Sequence, residues 1–221
     1  ENAVNRGIQV NQALGKYLSA SLSWNDGYYS NRYSWLSGSV TFTKGPNTLV
    51  YDGMGNLSHT VFQTTATPVQ NNGYMHAVIY TYTKGPWIVS PYFQYGKLPT
   101  NAKVGVTKGT SATGGAINVS YAFKSGFSIP VRFEYLGSSG SATDGSVNML
   151  GFGAGSSGTT FTATPTYQKG GMYVRGDLGF VDATNFTKGD VFGTAGANSN
   201  QFRGVLEFGF IFGNNITNGE K

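Results

Sequence analysis

Residues able to do acid–base or nucleophilic chemistry are scarce in this chain of 221 residues, which has two histidines and no cysteine. A serine hydrolase needs a Ser–His pair whose histidine is oriented by an Asp or Asn. Ser90 or Ser120 could be proposed as the partner of His76, but nothing in the sequence brings either serine near it. The sequence therefore predicts that the protein is not an enzyme.

Metal binding is equally weakly indicated. His59 and His76 stand alone, and the scattered carboxylates around them lack the spacing of a zinc site. Asp144, Asp182 and Asp190 fall in predicted loops, where their oxygens could bind a hard cation such as Ca²⁺. Solvated loop acids are the simpler interpretation and the one we favour. We expect no metal and no cofactor.

Charged residues at even spacings are the better candidates for function. They are Arg132, Glu134, Arg175, Asp177, Arg203 and Glu207. Residues two or four apart lie on the same face of a β-strand. If strands carry these residues, each pair lines one polar face and can form ion pairs with neighbouring strands.

The elements that must position these charges are strands, because apolar and polar residues alternate. Between residues 127 and 135, the residues Phe127, Ile129, Val131, Phe133 and Tyr135 alternate with Ser128, Pro130, Arg132 and Glu134. The same period of two recurs in 117–123, 161–167 and 202–212. The sequence predicts an all-β fold.

Short and long connections alternate between these strands. The short ones are Gly15-Lys16, Lys44-Gly45-Pro46, Lys84-Gly85-Pro86, Lys124-Ser125-Gly126 and Lys169-Gly170-Gly171. The long ones are polar and cover 25–32, 58–72, 98–110, 137–158 and 182–200. All tight turns then lie at one end of the sheet, an asymmetry typical of transmembrane antiparallel up-and-down β-barrels in bacterial outer membranes.

Composition helps to decide which face of the predicted sheet contacts water and which contacts lipid. Only 11% of residues are charged, against roughly 25% in an ordinary soluble domain. The polar face, mostly Ser, Thr, Asn, Gln, Gly and Ala, suits a water-filled lumen better than a soluble surface. Facing lipid, each strand charge would cost about 2–4 kcal/mol near the midplane. A soluble lipocalin-like binder and a fibre subunit are the less favoured alternatives.

Aromatic residues near strand ends on the apolar face form the predicted interfacial girdle. These are Trp24, Tyr82, Trp87, Tyr95, Tyr121, Tyr135 and Tyr167. Rings at such positions place an apolar body and a polar tip at the membrane–water boundary. Their distribution supports a barrel whose apolar face is its exterior.

A resemblance to a known family is carried by the runs 80–92, 164–171, Arg175-Gly176-Asp177 and 201–205. These runs resemble the OmpL-like β-barrel porin family of bacterial outer membranes. The resemblance covers most of the chain and corresponds to the C-terminal part of such barrels. It implies a pore in the outer membrane and brings no catalytic residues.

The closing aromatic strand, with Phe208, Phe210 and Phe212, also resembles the signal read by the barrel-assembly machinery. The expected partners are that machinery, the lipid bilayer, lipopolysaccharide and small solutes or ions. We also consider a homo-oligomer, and we expect no nucleic acid. The signal normally ends a chain, whereas here residues 213–221 follow it as a tail.

We expect about eleven or twelve strands in one barrel domain spanning residues 1–212. With the tight turns in the periplasm, the first and last strands both run towards the periplasm, although single-chain bacterial barrels usually have an even strand number. We therefore expect at least one further strand on the N-terminal side and a larger barrel. An extra hairpin within 147–158 is the alternative that restores even parity.

The sequence predicts an outer-membrane porin that forms a passive diffusion channel for small hydrophilic solutes. Its selectivity would come from the charged polar wall, without a covalent step. The competing hypothesis is a plugged structural or adhesive barrel that binds a partner through its long loops within an envelope complex.

Overall fold

The computed structural model of the chain describes residues 6–27, 32–57 and 70–211. The strands are β1 (Gly7–Ala13), β2 (Leu18–Asn25), β3 (Trp35–Lys44), β4 (Asn47–Asn56), β5 (Tyr74–Lys84), β6 (Trp87–Leu98), β7 (Thr110–Ala122), β8 (Phe127–Ser138), β9 (Ser157–Ala163), β10 (Thr166–Lys169), β11 (Met172–Thr184) and β12 (Asn200–Phe210). Two 3₁₀ turns, Gln70–Asn72 and Ala102–Val104, lie in the connections. His59, Phe212 and the tail 213–221 lie outside the described residues.

The strands form one antiparallel sheet in which neighbours in sequence are neighbours in space. β9 and β10 lie end to end between β8 and β11, so twelve strands occupy eleven rows. Ala163 pairs with Val131 and Thr166 with Ser128, which keeps one register across the break. Pro165 lies in the gap, and a proline cannot donate to the ladder. We expected one strand here, and the proline divides it.

Connection lengths follow the predicted asymmetry. Every tight turn lies at one end of the sheet, which we call the turn end, and every long connection lies at the other, the loop end. Gly45, Gly85 and Gly170 adopt φ of 59°, 57° and 58° in three of the tight turns, a left-handed conformation that favours glycine. Residues 147–156 contain no strand, so the hairpin that would have restored even parity is not formed there.

The apolar side chains share one face of the sheet, as the alternation predicts. Across neighbouring strands Val40 lies opposite Tyr51, and Phe133 lies opposite Phe161. These side chains point away from the protein, and Phe208 is 72% exposed. An exposed apolar band of this extent indicates a surface that contacts lipid.

Buried apolar residues are few among the described ones. They are Trp35, Leu98, Val106, Ala116, Ala154 and Ala183. A soluble barrel would hold its large aliphatic and aromatic side chains in a common interior, whereas here those side chains lie on the outer face. The lipocalin-like alternative is therefore wrong. No described helix has the length and apolar character to cross a membrane.

The sheet has two free edges within the described residues. β1 pairs with β2, β12 pairs with β11, and the two edges do not pair with each other. Both edge strands run from the loop end to the turn end. Eleven rows of alternating direction therefore begin and end with strands of the same direction.

Candidate functional site: the polar wall

The face opposite the apolar one carries mostly polar or small side chains, and we call it the polar wall. On β1 to β3 its members include Gln9, Asn11, Ser19, Ser21, Ser23, Ser37, Ser39 and Thr41. Ser21 and Ser39 share a hydrogen bond of 3.0 Å between their hydroxyl oxygens. This part of the wall is uncharged and presents donors and acceptors to water.

All six charged candidates lie on the polar wall. Arg132 stands opposite Asn118 and Thr162, and Arg175 stands opposite Glu207. Asp52 on β4, which the sequence analysis did not single out, shares the same face opposite Ser39. The described strands thus place three arginines and four carboxylates on the wall.

A first cluster spans β6 to β8. Tyr92 donates from its hydroxyl to Glu134 Oε1 at 2.6 Å, while Arg132 donates to Tyr92 Oη at 2.8 Å and also to Glu134. The Arg132 guanidinium carbon lies 5.9 Å from the centroid of the Tyr92 ring. Ala116 occupies the same row between Tyr92 and Glu134. Its small side chain leaves room for the tyrosine to reach across β7.

A second cluster repeats this arrangement on β11 and β12. Tyr173 and Arg175 both donate to the Glu207 carboxylate, and the Arg175 guanidinium lies 5.9 Å from the centroid of the Tyr173 ring. Gly209 stands opposite Tyr173, and a Cβ there would come within 2.3 Å of the ring. In both clusters a small neighbour allows a tyrosine to cover the adjacent strand and reach a glutamate.

A third ion pair lies beside the second cluster, where Arg203 donates to Asp177 at 3.2 Å. The expected cross-strand pairing is present for Arg175 with Glu207 and for Arg203 with Asp177. Arg132 instead pairs with Glu134 of its own strand. Sequence reasoning missed Tyr92 and Tyr173. The alternation pattern could have identified them, because it places both tyrosines on the polar face of their strands.

His76 lies on the other face of the sheet. His76 Nδ1 is 2.7 Å from Tyr51 Oη, and both side chains are on the apolar face. Ser90 and Ser120 belong to the polar wall, so neither can pair with His76. Within the described ranges, no three His, Asp or Glu side chains converge as a metal site.

Comparison with known proteins decides the family. The sequence matches the family model described as "Putative beta-barrel porin-2, OmpL-like" over residues 1–212. The chain belongs to this family. No curated protein matches the sequence at a significant level.

Two solved structures are similar in fold. One is OmpTdeltaL8, a loop L8 deletion mutant of OmpT, an outer membrane protein of Vibrio cholerae, with 12% identity and a TM-score of 0.59 over 90% of this chain and 61% of that chain. The other is a porin refined at 1.8 Å, with 14% identity and a TM-score of 0.55 over 92% of this chain and 62% of that chain. The chain thus spans under two thirds of either protein. The family and the fold make it a porin-like β-barrel of the bacterial outer membrane.

In this outer-membrane barrel, charges on the apolar face are confined to strand ends. They are Lys44, Lys84, Lys97, Lys169 and Asp182. A charge at the midplane on that face would cost about 2–4 kcal/mol, and the cost falls towards the interfaces. The charge distribution therefore matches a membrane exterior along the whole described sheet.

The seven girdle candidates lie on this exterior in two groups. Trp24, Tyr95 and Tyr135 lie towards the loop end, and Tyr82, Trp87, Tyr121 and Tyr167 towards the turn end. Trp87 and Tyr121 contact each other edge to face at 4.7 Å between ring centroids. Trp24 donates from Nε1 to the Tyr33 carbonyl at 2.7 Å. The two groups are separated by the middle of the strands, and their girdle role stays a prediction.

The long connections contact one another at the loop end of the porin-family barrel. Lys108 forms an ion pair with Asp144, whose other oxygen accepts the backbone N–H groups of Ser141 at 3.2 Å and Ser146 at 3.0 Å. The Lys108 ammonium, followed by the other hydrogen bonds, holds the pKa of Asp144 well below its usual range. The positive charge of Lys108 is thus compensated by Asp144.

Proposed function

We propose that this protein is an outer-membrane pore for the passive diffusion of small hydrophilic solutes, lined by Arg132, Glu134, Arg175, Asp177, Arg203 and Glu207. The observation that carries the proposal is the separation of faces. Every described strand charge away from the strand ends lies on the polar wall, and every large exposed aromatic in mid-strand lies on the other face. Exposing these charged side chains to lipid would cost free energy, whereas exposing them to water in a pore is favourable.

Closure of the barrel is part of the proposal. An edge strand in lipid leaves backbone N–H and C=O groups without partners, at several kcal/mol each. We therefore propose that an odd number of further strands covers the free edges of β1 and β12, so that direction alternates around the whole barrel. Residues 1–212 then belong to one barrel domain that is larger than the described sheet.

The ion pairs set the character of the pore rather than its stability. Solvent-exposed ion pairs of this kind contribute little to stability, because water and salt screen them. These ion pairs lie on one side of the polar wall, and the serine-rich strands β1 to β3 form another part of it. The pairs therefore impose a local transverse electric field on solutes while leaving little net charge. The pore would then discriminate weakly between anions and cations.

The pore is tested by conductance in planar bilayers and by swelling of proteoliposomes in sugar solutions. We expect stable open channels and swelling that falls with solute size, with the heat-denatured protein as the inactive control. A folded barrel that stays silent in both assays would contradict the pore.

The competing function, a plugged or adhesive barrel, has support from the packing of the loops. Val147 N–H donates to Thr110 Oγ1 at 3.0 Å, and the rings of Phe152 and Phe192 meet edge to face at 5.4 Å. Val106, in another long connection, is only 1% exposed. Loops that pack this closely form a defined surface, which a partner could bind. Silence in the conductance assay would favour this function.

The remaining interactions are proposed on the same basis. The two aromatic groups would anchor the barrel at the two interfaces, and the exposed Phe208 and Phe210 of β12 would be read by the assembly machinery together with Phe212. The loop end would face lipopolysaccharide.

A further inference from the structure

A hollow in the polar wall beside the first Tyr–Arg–Glu cluster has no role in what has been described so far. It has a volume of about 280 Å³ and opens between β6, β7, β8 and β9. Its lining consists of Ile88, Asn118, Val119, Ser120, Pro130, Val131, Arg132, Thr162 and Thr164. Because the register places six of these residues, all but Thr164 and the two valines, on the polar wall, a solute in the pore would meet this hollow directly.

The hollow exists because of local sequence choices. Pro130 stands opposite Ser120, so two short side chains form the floor where a longer pair would fill it. The strand next to them stops at Ala163. The Arg132 guanidinium is drawn towards Tyr92 and Glu134, which leaves the space beside it unfilled.

Polar groups around the hollow can bind a ligand. Ser120, Thr162 and Thr164 each bring a hydroxyl to its lining, and among the described residues Arg132 Nε is buried without a hydrogen-bond partner. Asn118 Nδ2 donates to the Ser90 carbonyl at 3.1 Å, which leaves its Oδ1 as an acceptor. Hydroxyls both donate and accept, so the rim suits a ligand that does the same.

Charge and shape narrow the class of ligand. Glu134 already compensates Arg132, so the hollow offers little net attraction to an anion. Ile88 and Pro130 provide an apolar surface beside the hydroxyls. A pocket with an apolar platform and a few placed polar groups is typical of small-molecule sites, and this one lies just below their usual volume of about 300–1,000 Å³.

We propose that the hollow is a binding subsite for a neutral polyhydroxylated solute of monosaccharide size. The inference rests on the proposed pore, because it supplies the solute class that the pore would hold during passage. The sugar ring would lie against Ile88 and Pro130, with its hydroxyls bonded to Thr162, Ser120 and Asn118.

The test is block of the potassium chloride current by D-glucose in planar bilayers. We expect the current to fall with a saturable dependence on glucose concentration. Thr162→Val keeps the side-chain shape and removes one hydrogen bond, so the half-saturating concentration should rise about three- to tenfold. Thr41→Val, the same change on the polar wall away from the hollow, should leave it unaltered. Ser120→Ala provides a second variant if Thr162→Val fails to fold.

Three results would overturn the subsite. They are a linear, unsaturable effect of glucose, equal half-saturation in Thr162→Val and Thr41→Val, and tighter block by gluconate than by glucose. If no channel opens, the pore fails while the subsite stays testable. Saturation-transfer NMR with glucose on the folded protein in detergent then makes the same comparison of variants, and equal signals from both would reject the subsite.

Discussion

The two Tyr–Arg–Glu clusters show how individual residues fix the positions of charged side chains on the polar wall. In each, a glutamate accepts from both a tyrosine and an arginine, and the guanidinium also lies near the tyrosine ring. A guanidinium is planar and carries several donors in a fixed geometry, whereas a lysine is a flexible point charge. The clusters therefore fix the position of a positive and a negative charge together.

Removal of one carboxylate should shift ion selectivity. In Glu134→Gln, Arg132 keeps its charge without compensation, and the local potential becomes positive. We expect the chloride-to-potassium permeability ratio to rise roughly twofold or more, measured as the reversal potential under a potassium chloride gradient. Glu207→Gln should shift it in the same direction.

The matched control for this change is Ser39→Ala on β3, which alters the polar wall without changing its charge and should leave the reversal potential unchanged. An unchanged reversal potential in both glutamine variants, with normal conductance, would place these clusters outside the conduction path.

At the scale of the element, period-two alternation was sufficient to predict the strands, because lipid and water impose opposite preferences on the two faces. The break at Pro165 was not predicted, since the alternation continues through it and only the missing N–H interrupts the ladder. The Tyr92 and Tyr173 contacts depend on small residues of neighbouring strands, Ala116 and Gly209. The pairing register brings each tyrosine next to its small neighbour, and a local sequence pattern does not predict that register. Loop packing, as between Phe152 and Phe192, is equally invisible in one sequence.

The assignment of faces predicts unequal effects of one added charge. Phe133 lies in the middle of β8 on the apolar face, so Phe133→Arg should lower the free energy of unfolding by about 2–4 kcal/mol. Ser39→Arg puts the same charge on the polar wall opposite Asp52 and should change it by less than about 1 kcal/mol. Denaturant titration from lipid vesicles measures both. Equal destabilisation would contradict the assignment of faces.

The loop contact should depend on pH with a defined sign. Because the pKa of Asp144 is lowered in the folded protein, its ion pair with Lys108 stabilises the loops above the ordinary aspartate pKa of about 3.9. That stabilisation is lost as the pH falls through the lowered value. Lys108→Gln should raise the pKa of Asp144 towards its ordinary value, measured by carbon-13 NMR of the carboxyl group.

Lys103→Gln, a change of the same type in the same connection, is the control for this titration. It should leave the pKa of Asp144 low. If the two variants gave the same titration curve, the Lys108 contact would not be the cause of the shift.

At the scale of the whole molecule, strand direction limits how the barrel can close. β1 and β12 run the same way, so joining them directly would require a parallel pair within an otherwise antiparallel sheet. An odd number of further strands avoids this. A barrel formed by two copies of the chain would also avoid a parallel pair, since a twofold axis makes β1 antiparallel to its own copy.

Hydrogen exchange on the 221-residue chain, folded in detergent, distinguishes these arrangements. A free edge leaves alternate backbone N–H groups of its strand without partners, so those of β1 and β12 should exchange about tenfold faster than the amides of the interior strand β7, or more. Native mass spectrometry on the same sample gives the number of chains. Protected edges in a dimer would assign closure to a second copy. Protected edges in a monomer would mean that β1 and β12 pair with each other, and would contradict the proposal that further strands complete the pore.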